Sequence, residues 1–207
     1  MKFRLEVLIL AASVWPALGQ SGMTVVDVYL NGHDDSEVLL WPGRTLASGL
    51  FEKIGVHLKW HTGERPGGQT GFGIRTTACA PASVNPGALA SARLLEGAGG
   101  DITIYADRIL PLPTQFHILP DVVAGYVMAH ELAHVMQGVA RHSESGILKA
   151  QWSRENYTDM TLRKFAFTPR DVELIHLGLR DRAAGRRPER TSETESGRLE
   201  RPHLEKQ

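Results

Sequence analysis

The 207-residue sequence has little of what marks several specialised classes of protein. It has a single cysteine, Cys79, which excludes an intramolecular disulfide and a zinc site built on several thiolates. Its 23 Lys and Arg balance its 23 Asp and Glu, so a uniformly basic nucleic-acid-binding surface and a polybasic membrane-binding surface are both excluded. Apolar runs are too short to span a bilayer. The remaining composition, 42% hydrophobic and 22% charged, is typical of one globular domain.

The two ends of the chain differ in composition from its middle. Residues 1–19 have a basic start, an apolar centre and a small-residue ending, which is the pattern of a secretory signal peptide. We therefore expect a secreted or periplasmic protein with no membrane segment after cleavage. Residues 182–207 are highly charged and poor in apolar side chains, which predicts a disordered tail. The folded domain is then expected to comprise residues 20–181.

The middle of the chain combines the periodicities of strands and helices, which predicts an α+β fold. Alternating or β-branched segments predict strands at 24–30, 56–61, 72–77 and 101–109. Apolar stripes, glycine stops and capping residues predict helices at 44–54, 87–95, 122–136 and from 169 onward, with a loop at 111–120.

The predicted helix at 122–136 carries the chemistry of the sequence. We expect Asp121 to cap it, and it is apolar on nearly all sides, which predicts a buried helix. Its ionisable groups are His130, Glu131 and His134. Residues four apart on a helix project to the same side, so the two imidazoles are spaced to hold one zinc ion, with Glu131 beside them. This is the His-Glu-x-x-His arrangement of zinc peptidases.

A catalytic zinc ion usually takes a third protein ligand and keeps one position for water. His142 follows Gly138, a residue suited to end the helix in a left-handed conformation and turn the chain back toward the metal. Glu155 is a second candidate, because it would lie on a helix in a Glu-x-x-x-Asp pair like the ligand and supporting aspartate of thermolysin-like enzymes. Glu144 is a weaker third candidate.

The segment from the helix to Trp152 resembles the metzincin zinc peptidases and favours His142. Those enzymes have the pattern His-Glu-x-x-His-x-x-Gly-x-x-His, followed by a turn that bears a methionine. Here Gly138 comes one residue late, His142 comes two residues late, and Leu148 occupies the methionine position. The segment is also similar to small exported bacterial-type proteins. The resemblance implies a zincin-like fold, with a small mixed sheet packed on a buried helix, followed by a Met-turn-like loop and C-terminal helices.

The resemblance also implies a function, which is hydrolysis of peptide bonds in a peptide or protein substrate. One Zn²⁺ per chain would be bound by His130, His134 and His142, with Glu131 as the general base. Tyr157 and Tyr105 are candidates to stabilise the oxyanion. We expect the substrate to pair with an edge strand, formed by 72–77 or 101–109.

The sequence leaves two questions open, the role of two polar residues near the histidines and the class of the domain. Gln137 and Arg141 lie near the histidine face of the helix, where they would line the cleft, support the ligands or simply be polar residues at a helix end. The altered spacing to His142 and the missing methionine leave open a non-catalytic zinc-binding or interaction domain that keeps the zincin fold. A domain with a purely structural zinc is less favoured, since it would have no need of Glu131.

Overall fold

The computed structural model describes residues 23–31, 37–67, 69–95 and 99–186. The expected signal peptide therefore lies outside the described residues, as does most of the expected tail. The elements in chain order are β1 (Thr24–Asn31), α1 (Glu37–Glu52), β2 (Val56–Thr62), β3 (Gly71–Thr77), β4 (Ala90–Leu94), β5 (Gly99–Tyr105), α2 (Ala106–Ile109), α3 (Leu112–Phe116), α4 (Pro120–Gln137), α5 (Arg154–Thr161) and α6 (Pro169–Ala183). None of the helices in this part of the chain has the length and apolar character needed to cross a bilayer.

The five strands form one mixed sheet, as the α+β prediction required. Their order is β2-β1-β3-β5-β4, with β4 antiparallel to β5 and every other pair parallel. In β1 the alternating side chains of Val26, Val28 and Leu30 are buried, which places them on the face that packs against the helices. The helix α1 connects the parallel neighbours β1 and β2, as a crossover between parallel strands requires.

The residues from 87 to 95 are the clearest difference from the prediction. We expected a short helix there, whereas Ala90–Leu94 forms the edge strand β4. Alanine and leucine favour a helix, so local propensity points the wrong way. The strand forms because its backbone pairs with β5 along five residues, from Ala90 opposite Ile104 to Leu94 opposite Gly100. Tertiary pairing thus overrides a weak local preference.

Four further details differ from expectation. The first helix starts at Glu37 instead of residue 44 and contains Pro42 in its second turn. The expected loop at 111–120 includes the short helix α3, and the strand expected to reach residue 109 ends at Tyr105, where α2 takes over. The helix α4 is capped by the extended backbone of Leu119, with Pro120 at its first position, so Asp121 lies in the first turn and is not the cap.

The helix α4 lies at the centre of the fold, packed against α1 and the strands β4 and β5, with α6 against its C-terminal end. Fourteen of its eighteen residues are buried. It approaches α1 closely because glycines face each other: a Cβ on Gly125 would lie 2.7 Å from Cδ2 of Leu46 and 2.8 Å from the carbonyl oxygen of Gly43. Such contacts hold α4 firmly, and with it any side chain that α4 presents.

The C-terminal helix α6 follows the expected capping pattern. Thr168 is the N-cap, Pro169 is the first helical residue, and Asp171 completes a capping box with Thr168. The helix continues to Ala183, two residues past the expected end of the domain at 181.

Candidate metal centre

The helix α4 brings His130 and His134 together on one side. The two Nε2 atoms lie 3.0 Å apart, and the ring centroids are 4.6 Å apart. One helical turn separates the two residues, so their side chains project into the same space. The carboxylate of Glu131 lines the same cleft as both rings.

His142 joins the pair because α4 ends sharply. Gly138 has a φ of 74° and donates its N–H to the His134 carbonyl, which closes the helix and redirects the chain. The ring of His142 then lies 5.5 Å from that of His130 and 4.9 Å from that of His134, between centroids. One ligand atom from each of the three histidines lies within 4.8 Å of the others.

The other two candidate ligands lie elsewhere. Glu155 is fully exposed at the start of α5, where its carboxylate accepts a hydrogen bond of 2.6 Å from Ser153 Oγ. Glu144 is also exposed. Neither belongs to the one group of three or more metal-ligating side chains that the described residues contain.

The backbone carbonyl of Ile147 fixes the orientation of the His130 ring. Its Nδ1 lies 2.7 Å from the carbonyl oxygen of Ile147, which also accepts a hydrogen bond of 3.2 Å from Nε1 of Trp152. Ile147 and Leu148 are completely buried in a turn closed by the bond from Lys149 N to Gly146 O. The Nδ1–H group of His130 donates a hydrogen bond to this carbonyl. The Nε2 atom therefore carries no proton, and its lone pair points toward His134.

The surroundings favour neutral imidazoles. Burial lowers the pKa of His130 to about 4, against the hydrogen bond to Ile147, which raises it. Burial, together with the charges that the other two histidines would carry, lowers the pKa of His134 to about 3. The pKa of His142 is also lowered by burial. All three rings are therefore in the form that binds a metal ion at neutral pH.

This donor set fits a zinc ion. Two imidazole nitrogens bound to tetrahedral zinc, each about 2.0–2.1 Å from it, lie about 3.4 Å apart, close to the spacing of the two α4 rings. His134 also has a buried Nδ1 without a hydrogen-bond partner of regular geometry, although the backbone of Val139 is near enough to raise its pKa. Three neutral nitrogen donors leave one coordination position open, as in catalytic zinc sites.

Glu131 differs from the other acids that the structure describes in its environment. Within the described part of the chain it has neither a hydrogen bond nor an ion pair, and burial raises its pKa to about 7. A buried carboxyl group without a partner is costly to ionise, so its position beside the histidines calls for a functional explanation.

The cleft above the histidines has a volume of about 1010 Å³. Residues of α4 and of β4 both line it. The strand that borders the cleft is thus β4, at the edge of the sheet, whereas both segments proposed from the sequence, now β3 and β5, lie inside it. That expectation was wrong because it depended on the order of the strands, and the strand that lines the cleft was expected to be a helix.

The remaining candidates separate into two groups. Tyr157 is 6% exposed, lines the cleft and stacks on Phe116 at 4.1 Å between ring centroids. Tyr105 does not line it, and its hydroxyl pairs with Ser91 Oγ at 2.7 Å. Gln137 and Arg141 also lie outside the cleft lining, and both bind Asp171.

Comparisons with known proteins found a distant likeness to solved structures. No protein-family model matches the sequence, and no curated protein matches it. Among solved structures, the chain is similar to the crystal structure of archaemetzincin from Methanopyrus kandleri, with 14% identity and a TM-score of 0.44, over 79% of this chain and 99% of that one.

Proposed function

We propose that this chain is a zinc-dependent peptidase that binds one Zn²⁺ through His130, His134 and His142 and uses Glu131 as its general base. One observation carries the proposal. Three neutral imidazoles converge within 4.8 Å, and the carboxyl group of Glu131, which has no hydrogen-bond or ion-pair partner among the described residues, lines the same cleft. A purely structural site would gain nothing from Glu131 and would be expected to complete four protein ligands.

Each part of the site has a defined task. Bound Zn²⁺ would supply Lewis acidity, polarising the scissile carbonyl group and making water a better nucleophile. Glu131 takes the proton from the attacking water and delivers it to the leaving amine. The Ile147 carbonyl keeps His130 in the orientation that directs Nε2 into the cleft. Tyr157 is our candidate to donate a hydrogen bond to the developing oxyanion.

The substrate would bind along β4. This strand pairs only with β5 among the described strands, so its outer backbone groups are free to pair with an extended peptide. Aliphatic side chains dominate the cleft walls, among them Leu89, Val127 and Val135. We therefore expect the peptidase to prefer apolar side chains next to the cleaved bond.

The first experiment measures the zinc content of the purified chain beside that of His142→Ala and Glu155→Ala. We expect about one zinc per chain in the wild type and in Glu155→Ala, with the loss confined to His142→Ala. A loss confined to Glu155→Ala would contradict the ligand set. A wild-type chain that takes up no zinc after reconstitution would overturn the whole proposal.

The second experiment separates an enzyme from a zinc-binding module. A peptide library is incubated with the zinc-loaded wild type and with Glu131→Gln. The enzyme cleaves, and the variant keeps its zinc but loses turnover. Absence of cleavage by a fully loaded wild type across the library would favour the non-catalytic domain.

We also propose that the protein acts outside the cytoplasm, secreted or in the periplasm. The support is the signal-peptide pattern of residues 1–19. Expression in a bacterial host with cell fractionation tests it, since an uncleaved chain in the cytoplasm would contradict export.

A further inference from the structure

We infer that Asp171 is a positioning residue for the third ligand, His142, and that it compensates for the long spacing between His134 and His142. The inference rests on the proposed zinc site. It concerns a residue at the start of α6 whose carboxylate lies outside the cleft lining.

His142 needs such support because its own ring has little. The ring is exposed, and within the described part of the chain it makes no hydrogen bond. It lies on the segment between α4 and α5, which contains neither helix nor strand. Seven residues separate it from His134, and every added residue brings conformational freedom that has to be restrained before the ring can serve as a ligand.

Both chain neighbours of His142 are bound to one atom. Arg141 Nη1 donates to Oδ1 of Asp171 at 3.1 Å, and the hydroxyl of Ser143 donates to the same oxygen. Arg141 also donates to Ser143 Oγ at 3.2 Å, which closes a small triangle around the base of His142. Because both neighbours are fixed, the backbone of His142 between them has little freedom left.

Asp171 is itself immobilised. Its side chain is 0% exposed, and its second oxygen, Oδ2, accepts from the backbone N–H of Thr168 at 3.1 Å and from the Thr168 hydroxyl at 2.7 Å. Its backbone carbonyl accepts a hydrogen bond of 3.4 Å from Gln137 Nε2, at the last residue of α4. Through its carboxylate and its backbone carbonyl, Asp171 thus ties the His142 segment to both α6 and the end of the helix that carries the other two histidines.

The buried charge is compensated within this network. Burial alone would raise the pKa of Asp171, but hydrogen bonds from Ser143, Thr168 and Arg141 outweigh it and lower the pKa. An ordinary helix cap requires only the hydrogen bonds between Thr168 and Asp171. The bonds from Oδ1 to Arg141 and Ser143 cross about 30 residues of sequence and add nothing to the cap, which is why we assign them to His142.

The two oxygens of Asp171 allow the two roles to be tested separately. Arg141→Met removes a partner of Oδ1, and Arg141→Lys retains the charge there. Thr168→Ala is the matched control, because it weakens the α6 cap and leaves the bonds of Oδ1 in place. Asp171→Asn affects both sides, and His142→Ala gives the reference for complete loss of the third ligand.

Zinc affinity is measured on the full chain by competition with a chelator, and the coordination number is followed by the visible absorption of the Co²⁺-loaded protein. We expect Arg141→Met and Asp171→Asn to bind zinc about 10–100-fold more weakly, the range typical of lost partners behind a metal ligand. Their Co²⁺ spectra should shift toward that of His142→Ala, and Arg141→Lys should restore part of the affinity. Thr168→Ala removes the hydroxyl bond to Oδ2 and keeps the backbone N–H bond and both Oδ1 partners, so it should lower the melting temperature and weaken zinc binding less than Arg141→Met does.

Two results would overturn the inference in different ways. Wild-type affinity and spectrum in Arg141→Met would show that Asp171 only caps α6, and the proposed zinc site would stand. A wild-type chain that binds neither Zn²⁺ nor Co²⁺ would overturn the inference together with the zinc site. Thermal unfolding of each variant shows whether it is folded, and Arg141→Met keeps the test valid if Asp171→Asn fails to fold.

Discussion

Two pairs of histidines in this molecule have the same spacing in sequence and opposite environments. His57 and His61 lie on the strand β2, and His130 and His134 lie on the helix α4. Four residues along a strand cover about 13 Å, whereas four residues along a helix cover about 6 Å, a single turn. The strand separates its pair, and the helix brings its pair to one point.

The partners of the two pairs differ as well. Each strand histidine faces a carboxylate: His57 Nδ1 lies 3.7 Å from Glu52, and His61 Nε2 lies 2.7 Å from Asp27. Neither helix histidine forms an ion pair with a carboxylate among the residues that the structure describes, and their ring nitrogens converge with one of His142. Two histidines four residues apart therefore predict a metal site only when they lie on a helix and no acid competes for their rings.

The largest effect should come from breaking the helix pair. We expect His134→Ala to lose essentially all bound zinc and all peptidase activity, because ligand number and ligand geometry fail together. His61→Ala is the matched control on the strand and should bind about one zinc per chain. Metal analysis of both variants checks this, and equal zinc content in the two would contradict the comparison.

The next prediction concerns Glu131, whose proposed role as a general base has no equivalent at the strand pair. Glu131→Gln should lower kcat by about 10²–10⁴-fold, the usual contribution of a general base, while zinc content stays at the wild-type level. Asp27→Asn replaces the acid beside His61 and should leave kcat unchanged. Kinetics with a cleaved library peptide provide the measurement. A Glu131→Gln variant with wild-type kcat would rule out the general-base role.

Removal of the metal should lower the stability of the protein as well as its activity. At a free zinc concentration about 1,000 times its Kd, binding stabilises the folded state by about 4 kcal/mol. A chelator should therefore lower the melting temperature of the wild type and of His61→Ala by the same amount, with little change in His134→Ala. Calorimetry with and without chelator tests this. A chelator effect of wild-type size in His134→Ala would place the stabilising metal elsewhere.

The smallest effect is expected at the strand pair itself. The side chains of His61 and Asp27 are 31% and 40% exposed, and partly exposed ion pairs contribute about 0.2–1 kcal/mol. Asp27→Asn should reduce the free energy of unfolding by no more than about 1 kcal/mol. Urea denaturation measures it. A much larger loss would show that this pair contributes to the fold in a way that its exposure does not suggest.

The sequence supports prediction best where local pattern and tertiary environment agree. The apolar run of α4, the left-handed glycine at its end and the capping box of α6 are local signals, and the structure contains each of these features. The strand β4 is the opposite case. Its residues Ala90–Leu94 favour a helix, and only pairing with β5, which no local pattern encodes, makes them a strand.

The same limit applies to the residues around the site. Neighbours in sequence reveal Asp171 only as an acid in the first turn of a helix, three residues after the N-cap Thr168. Its bonds to Arg141 and Ser143 join positions about 30 residues apart, and no spacing rule signals them. The edge position of β4 was missed for a related reason, since strand order is a property of the whole sheet.

The carbonyl of Ile147 also links His130 to the indole ring of Trp152. It accepts hydrogen bonds from both His130 and Trp152, and the indole of Trp152 lies edge-on to the ring of His130, 5.7 Å between centroids. An indole emits according to the charges and polarity around it, so a cation taken up by His130 changes the field that this tryptophan senses. We expect the protein to report its own occupancy through its intrinsic fluorescence, without any attached dye.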